Sequence, residues 1–427
     1  MTHSRHAALA VLLLGLASAA APAAADSVDS GAEQALEDEN ALLRRRVEAL
    51  EGRLGRLEDL ETPPVAAEGD ARPFEFRLSG FLKADMSWND SRVNSTSAPR
   101  FALSIGDSDS QFTGTVQHSR FILDLLGPHI GEGRLRGYLE MDFFNFRGEE
   151  DRNILNNEPR IRQLWIAFDQ PKWRILMGET WDLFAPLNTA TLNTNGNYWF
   201  GGNAGFRRPQ LQGRYRFGFS GGHGLTVAAS INANVGVSRE EEGTIVNSGQ
   251  DSGIPVFEAG VIYHIPGLFA GEAQLGVAGT WGREQFDQID KELDQWGVGG
   301  HLVLPITEWA TFKGEAQYGA NLDAYLAAPG VNLVQGKSIR STSGWAQLTL
   351  QPLDATAANL IFGIADDKDS DLPDDARSRN IVWGVNLKQT LYEHFVMGVE
   401  FQRFDTRYKA ASNADANLIW FSGIMDF

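Results

Sequence analysis

The chain has 427 residues, 43% of them hydrophobic, and a mean hydropathy of −0.25. This average excludes a bundle of membrane helices but allows a membrane β-barrel, in which only alternate residues of each strand meet lipid. The formal net charge of −18 argues against nucleic acid as a partner, and the absence of cysteine excludes thiol catalysis and cysteine–zinc sites.

The N-terminus reads as a secretory signal peptide. Arg5 precedes a short apolar run at 7–17, and small residues follow it up to Asp26. This order predicts a signal peptide over 1–25 that is cleaved after Ala25. A membrane anchor is the alternative, but the apolar run is short for a span. No later stretch has eighteen consecutive apolar residues.

A heptad pattern follows the signal peptide. Leucines recur every seven residues, with a second series four residues after the first three of them, and this predicts a coiled coil over 26–61. Its predicted core is Leu36, Asn40, Leu43, Val47, Leu50, Leu54 and Leu57. The pattern does not distinguish two chains from three, and a single amphipathic helix packed on a domain is the alternative. Pro63 and Pro64 end the helix, and 62–73 reads as a linker.

From Phe74 onward the hydrophobic period changes to two, which is typical of strands. The clearest case is 225–237, where Val227 and Ile231 share one face and Ser230 and Asn232 share the other. Sixteen segments are predicted as strands: 74–88, 114–126, 134–146, 160–169, 172–180, 207–217, 225–237, 256–265, 272–281, 295–304, 309–320, 342–351, 357–365, 380–389, 394–404 and 416–427. An even strand number is what single-chain bacterial barrels need.

The connections between these segments alternate between long and short along the chain. Long outer loops and short periplasmic turns are the signature of outer-membrane barrels. The sequence therefore predicts an all-β membrane barrel of about sixteen antiparallel strands over 74–427, in the outer membrane of a Gram-negative bacterium, with the coiled coil in the periplasm. Acidic residues crowd the long loops at 240–242 and 366–375. They could bridge to lipopolysaccharide through divalent cations, or simply solubilise the loops.

The chain ends at Phe427, and Phe421 and Met425 share its parity. A terminal phenylalanine that closes an alternating strand is expected to be the signal read by the barrel-assembly machinery. Leu418 and Trp420 make the opposite face less polar than a lumen wall requires.

The mature chain resembles the trimeric dicarboxylate-uptake porins of the DcaP type, which carry a coiled coil before a sixteen-stranded barrel. The resemblance rests on the opening strand Leu-Ser-Gly-Phe-Leu-Lys-Ala-Asp at 78–85, on Gly-Glu-Thr-Trp-Asp-Leu-Phe at 178–184, and on Arg-Arg-Pro-Gln-Leu at 207–211. It implies a homotrimer surrounded by outer-membrane lipid, and small anionic, dicarboxylate-like solutes.

The loop 181–206 is the longest connection, and in sixteen-stranded porins the corresponding loop folds inward and narrows the lumen. It is the candidate constriction. Its candidate pore residues are Asp182, Asn193, Asn195 and Asn197.

Strand parity predicts a basic wall facing this loop. Leu211, Tyr215 and Phe217 share one parity and face lipid, so the arginines of the other parity face the lumen. The candidate pore-lining residues are Arg208, Gln212, Arg214, Arg216, Arg120, Arg136 and Arg174. Arg162 is less certain because Leu164 shares its parity, and Glu140 and Asp142 are expected to neutralise part of the charge. Arginine rings favour anions, and the alternative is that arginine serves here only as polar filler of the lumen wall.

These patterns together predict a porin for small hydrophilic, anionic solutes. The alternative is a structural outer-membrane barrel that is tethered through its coiled coil and has little channel activity. The histidines are scattered without metal-ligand spacing, and no nucleophile–histidine pair is evident. No enzymatic activity, metal or cofactor is expected.

Overall fold

The computed structural model describes residues 74–104, 109–144, 158–236, 238–241, 244–287, 290–330 and 337–427. The predicted signal peptide 1–25, coiled coil 26–61 with its seven core residues, and linker 62–73 lie outside the described residues. No helix among the described residues is long and apolar enough to cross a membrane.

The described residues form nineteen strands. In chain order they are β1 (Glu75–Asn89), β2 (Gln111–Thr115), β3 (Arg120–Ile130), β4 (Gly133–Asp142), β5 (Arg160–Asp169), β6 (Trp173–Trp181), β7 (Arg207–Gly218), β8 (Gly224–Asn232), β9 (Ser238–Glu241), β10 (Thr244–Asn247), β11 (Val256–Leu268), β12 (Gly271–Phe286), β13 (Lys291–Thr307), β14 (Ala310–Ala320), β15 (Arg340–Leu353), β16 (Thr356–Asp367), β17 (Arg377–Tyr392), β18 (Phe395–Tyr408) and β19 (Ala414–Asp426).

The sheet closes on itself as a barrel. Each wall strand pairs antiparallel with its neighbours in the chain, and β19 returns to β1 in a register that runs from Phe81↔Asp426 to Asn89↔Leu418. Strands β2 and β3 share one wall position because both pair with β1, and β9 and β10 form a separate small hairpin. The prediction of a sixteen-stranded antiparallel barrel is confirmed. Its connections are short at one end, the short-turn end, and long at the other, the long-loop end.

The two faces of each strand differ as predicted, with apolar residues outside and polar residues inside. On β1, Leu82 and Met86 are 44% and 60% exposed on the outer face, while Lys83 and Asp85 are 2% and 4% exposed on the inner face. A soluble barrel would have the opposite arrangement, whereas lipid-facing strands require this one.

The structure differs from the prediction in the second wall strand. The segment 114–126 is not continuous, because a turn at 116–119 separates β2 from β3. The Lys83 backbone N–H donates to Ser119 Oγ (2.9 Å) and so ties this turn to β1. The predicted strand 225–237 also ends earlier, at Asn232. Just beyond it, Asn234 Nδ2 donates to the carbonyl of Ile254 (3.1 Å), and the chain no longer continues as a strand.

A β-bulge in β5 changes which of its residues face inward. Glu140 pairs with Gln163 and Met141 pairs with Ile161, so Arg162 has no partner of its own on β4. Ile161 and Leu164 are therefore both about half exposed on the outer face, at 47% and 50%, while Arg162 is 4% exposed inside. An extra residue in one strand shifts the parity beyond it, which alternation along the sequence does not reveal.

Candidate functional site

The loop between β6 and β7, residues 182–206, is packed inside the barrel. We call it the inward loop. Its two ends are held together at Asp182, whose N–H donates to the Phe206 carbonyl (3.0 Å) and whose Oδ2 accepts the Phe206 N–H (2.7 Å). Burial raises the pKa of the Asp182 carboxyl, and the nearby Glu258 carboxylate raises it further.

A series of wall glutamates holds the inward loop against the opposite side of the barrel. We call Glu258 on β11, Glu315 on β14 and Glu400 on β18 the glutamate row. All three are at most 6% exposed. They accept successive backbone N–H groups of the loop, from Leu183 (2.6 Å), Leu187 (2.8 Å) and Leu192 (2.6 Å) respectively. Because each loop N–H finds its acceptor on a different wall strand, the row fixes the path of the loop.

Backbone contact between glycines brings the loop close to the wall. Gly202 has φ +118, and a Cβ there would lie 2.1 Å from the carbonyl oxygen of Gly344 on β15. A Cβ on Gly363 of β16 would lie 2.1 Å from the Gly201 carbonyl oxygen. Only glycine fits at these positions.

The apolar residues on the inner face of β19 are explained by the inward loop. Leu418 and Trp420 are fully buried and belong to one cluster with Leu192 and Tyr198 of the loop. They do not line water, because the loop covers them. The weakness of alternation in the last strand therefore marks the place where the loop packs.

The four candidate pore residues of the loop are buried between the loop and the barrel wall. Asp182, Asn193 and Asn195 are 1% exposed and Asn197 is 5% exposed. Asn193 Oδ1 accepts the N–H of Gly196 (3.0 Å). Asn195 Oδ1 accepts from both Arg160 Nη2 (3.3 Å) and Arg162 Nη1 (3.2 Å), so it joins the loop to the basic wall. These side chains shape the loop from within, and its more accessible residues are 186–190, Thr194, Phe200 and Phe206.

A second loop, after β14, also folds inward, which the sequence analysis did not predict. Tyr325 is fully buried, donates to Glu258 Oε1 (2.9 Å), and contacts the hydroxyl of Thr280. Its carbonyl accepts the Gly205 N–H (2.9 Å), and the Leu326 carbonyl accepts the Phe200 N–H (2.7 Å). The sequence signal for this packing was the apolar run Leu-Ala-Ala-Pro at 326–329, which is unusual for an outer loop exposed to solvent.

Arg208 supports these two loops. It is fully buried, with its guanidinium 4.1 Å from the ring centroid of Tyr325 and its Nη2 donating to the Ala324 carbonyl (3.1 Å). The structure therefore places this predicted pore-lining residue behind the second loop, out of reach of a solute. Gln212, 2% exposed, lies on the same face.

Towards the long-loop end, the inner wall of β3, β4 and β5 carries a compensated cluster of charges. Arg162 bonds Glu140 (2.6 Å) and Asp142 (2.8 Å), and Arg160 also bonds Asp142 (2.7 Å). Arg120 lies 3.3 Å from Glu140. Glu140 and Asp142, the two acids predicted to neutralise part of the basic wall, thus lie within ion-pair distance of its arginines.

Nearer the short-turn end, the basic wall is less compensated. Arg136 makes a two-pronged bond to Asp124 (2.8 and 2.7 Å), and Arg174 lies 3.0 Å from Asp169. Both guanidinium groups lie over the Trp165 ring, at 5.6 and 4.5 Å from its centroid.

Arg214 lies directly opposite Arg174 across β6 and β7, and its Nε donates to Gln212 (2.7 Å). Among the described residues no carboxylate lies within ion-pair distance of Arg214. Arg216, two residues further, is 3.4 Å from Glu272. Like charges directly opposite on one face are destabilising, so the two guanidinium groups repel each other.

The wall across the barrel also presents cations. Lys313 on β14 donates to the Asn188 carbonyl of the inward loop (2.7 Å), and Lys388 on β17 has the parity of Asn386 and Glu400, which face inward. Sequence parity could have identified both. The described interior thus has basic groups on two sides, and within the described ranges no group of histidines and acids could hold a metal ion.

At the last residue, the Phe427 N–H donates to the Gly80 carbonyl (3.1 Å) and its carbonyl accepts the Gly80 N–H (3.0 Å). The Phe427 ring lies 5.5 Å from the ring of Phe121 and is 44% exposed on the outer face. The terminal residue thus helps to close the barrel against β1.

Neither a protein-family model nor a curated protein matches the sequence. Solved structures do match the fold. The outer membrane channel DcaP of Acinetobacter baumannii superposes with a TM-score of 0.68 at 17% identity, covering 85% of this chain and 100% of that one. The anion-selective porin from Comamonas acidovorans gives 0.56 at 11% identity, covering 83% and 100%. The trimer form of OmpT, an outer membrane protein of Vibrio cholerae, gives 0.51 at 9% identity, covering 83% and 100%.

Proposed function

We propose that this protein is an outer-membrane porin through which small anionic solutes, of the dicarboxylate type, diffuse past the inward loop. The observation that carries the proposal is the pairing of Arg174 with Arg214 on the inner wall, where two guanidinium groups face each other and only one has a carboxylate partner in the described structure. Guanidinium groups offer paired donors that match carboxylates.

The mechanism needs no covalent step and no energy coupling. Basic groups on two sides of the interior attract an anion and repel cations, and the inward loop with the loop after β14 narrows the route. Ion pairs such as Arg136–Asp124 keep the wall from holding the anion too tightly, since conduction requires that a bound ion can leave. The anion preference stated for the Comamonas porin, which shares the fold, supports the same proposal.

We test this with the double variant Arg174→Gln, Arg214→Gln in planar bilayers under a potassium chloride gradient. Wild-type protein is expected to show an anion-preferring reversal potential that shifts toward cations in the variant, and succinate is expected to block less chloride current. Arg283→Gln, which removes an arginine from the outer surface, is the matched control. An unchanged reversal potential in the double variant rules the proposal out.

The assembly proposed is a homotrimer with the coiled coil 26–61 in the periplasm. The trimer form among the matching structures and the heptad leucines support it. Deleting 26–61 should lower the yield of trimer while leaving the conductance of each pore unchanged. Equal trimer yield with and without these residues contradicts the role given to the heptads.

A further inference from the structure

The short-turn end of the interior carries a compact polar cluster on the inner faces of β7, β8, β11 and β12. We call Arg216, Thr226, His264 and Glu272 the mouth cluster. Thr226 is the direct cross-strand partner of Arg216, and His264 lies across from Gly224 at the start of β8. A Cβ on Gly224 would lie 3.2 Å from Arg216 Nε, so the glycine leaves room for the arginine side chain to lie over β8 and approach Glu272.

His264 lies at the centre of the mouth cluster and has a partner at each ring nitrogen. Its Nδ1 is 2.8 Å from Glu272 Oε1, and its Nε2 is 3.0 Å from the Thr226 hydroxyl. The other carboxylate oxygen, Glu272 Oε2, accepts from Arg216 Nη2 (3.4 Å). The histidine and the arginine therefore share one carboxylate, each through a different oxygen.

The hydrogen bonds of the mouth cluster can be completed with the imidazole either neutral or charged. In the neutral ring, Nδ1–H donates to Glu272 and Nε2 accepts from the Thr226 hydroxyl. In the charged ring, Nε2–H donates instead, and the hydroxyl rotates to accept it, because a hydroxyl can do both. A proton can thus be added to His264 without depriving either ring nitrogen of its partner.

Protonation of His264 changes the charge balance of the mouth cluster. Among the described residues, Glu272 is the one carboxylate within ion-pair distance of either Arg216 or His264. With the imidazole neutral, the charges of Arg216 and Glu272 cancel. With the imidazole charged, Glu272 has a second and nearer cation, and the cluster gains a net positive charge. The Arg216 side chain is 53% exposed, so its remaining donors are open to the interior of the barrel.

We propose that the mouth cluster is a proton-linked binding site for small carboxylate anions. The proposal rests on the proposed function, since it takes anions to pass through this interior. Histidine is the side chain that ordinarily changes charge between pH 5 and 8. The charged groups that face His264 are Glu272 from β12 and Arg216 from β7, and β8 has no charged residue. Because anion binding and proton binding favour each other, the site takes up both together.

The mouth cluster lies next to the arginine pair already described. Arg214 is two residues from Arg216 on the same face of β7, which places the two residues about 7 Å apart. An anion that leaves the Arg174–Arg214 pair can therefore move directly to Arg216. We expect the mouth cluster to add a pH-dependent step to a basic wall that is otherwise constant in charge between pH 5 and 8.

The test uses the full-length protein in planar bilayers under a potassium chloride gradient, at about pH 8 and about pH 5.5. Chloride is the probe because, unlike a carboxylate solute, it takes up no proton in this range. One added charge at about 6 Å in water changes ion occupancy by about threefold. Lowering the pH should therefore raise the chloride-over-potassium permeability ratio of the wild-type protein by about threefold or more. His264→Gln should abolish this rise.

Two further variants make the test specific to the mouth cluster. Glu272→Gln removes the negative charge without adding a proton, so at the higher pH it should already show the chloride preference that wild type shows in acid. His301→Gln is the matched control, since His301 is a second inner-wall histidine, 6% exposed on β13. It should keep the wild-type pH response.

Two results would overturn the proposal: the same pH response in His264→Gln and in wild type, or a Glu272→Gln channel that equals wild type at the higher pH. Neither result bears on the porin proposal. That proposal fails separately, if the double variant of Arg174 and Arg214 leaves the reversal potential unchanged.

Discussion

Glu400 is the residue that holds the inward loop most directly. Its buried carboxylate accepts from the Thr191 hydroxyl, the Leu192 N–H (2.6 Å) and Asn386 Nδ2 (2.8 Å). Replacing it with an apolar residue removes this acceptor from the Thr191 hydroxyl and the Leu192 N–H, while Asn386 Nδ2 keeps its bond to the Ala190 carbonyl (3.1 Å). A buried unsatisfied donor costs about 1–3 kcal/mol.

We therefore expect Glu400→Leu to lower the thermal stability of the folded protein and to make single-channel current noisier as the loop leaves the wall. Glu400→Gln keeps one acceptor oxygen and should have an intermediate effect. Glu292→Gln is the control, since Glu292 is 58% exposed at the surface. Quiet current and unchanged stability in Glu400→Leu would show that the row does not position the loop.

At the scale of single residues, sequence parity predicted which charges face inward but not which remain accessible. Arg136, Arg174 and Arg214 lie on the inner face that alternation assigns to them, and their role in lining the pore stays a prediction. Arg208 has the same parity and is covered by Tyr325, a contact between residues 117 positions apart. Arg162 was uncertain because of a bulge, which depends on pairing with β4.

Among the structural elements, the loop after β14 is the second part of the narrowed route. Tyr325 and Leu322 are fully buried beside Phe184 of the inward loop. Excising 323–329 should uncover this surface and raise single-channel conductance. Excising the small hairpin 238–246 is the control, since Asn247 and Gly236 already meet through a hydrogen bond (3.1 Å). Equal conductance in the two deletions would exclude a role for the second loop.

The loop between β16 and β17 carries a carboxylate with a lowered pKa. Bonds from the Arg340 guanidinium lower the pKa of Asp371 from its ordinary 3.8 to about 2. Because the pKa is lower in the folded protein, the stabilising contribution is complete above about pH 4 and is lost as the pH falls toward 2. Hydrogen exchange of 368–376 should therefore be slower in wild type than in Asp371→Asn at pH 7, and most of this difference should be lost at pH 2. A constant difference across that range contradicts this assignment.

Strand positions were predictable because lipid-facing side chains recur at every second residue of a strand. Strand β5 was predicted with the bounds that the structure has, 160–169. The break between β2 and β3 was not, because it depends on the contact of Ser119 with β1. The weak alternation of β19 was visible in the sequence, but its cause, the loop packed against Trp420, depends on long-range contacts.

At the largest scale, the described residues form a closed sheet whose outer face is apolar and whose interior is polar and partly filled by two loops. The closure follows from the requirement that every backbone group in a membrane be hydrogen bonded internally, and the apolar outer face, the reverse of the usual soluble arrangement, follows from its contact with hydrocarbon. It also places the basic wall inside the barrel, where the proposed porin function requires it.

The most direct test of this apolar-outside arrangement is spin labelling at single introduced cysteines. The sequence contains no cysteine of its own, so the label reacts only at the introduced position. Leu387 on β17 is 36% exposed on the outer face, and its neighbour Lys388 has inward parity. In lipid bilayers, a label at Leu387→Cys should collide with dissolved oxygen, and a label at Lys388→Cys should collide with a water-soluble nickel complex. If neither reagent reaches the label at Leu387, the apolar face is buried against protein, and the membrane-barrel account is wrong.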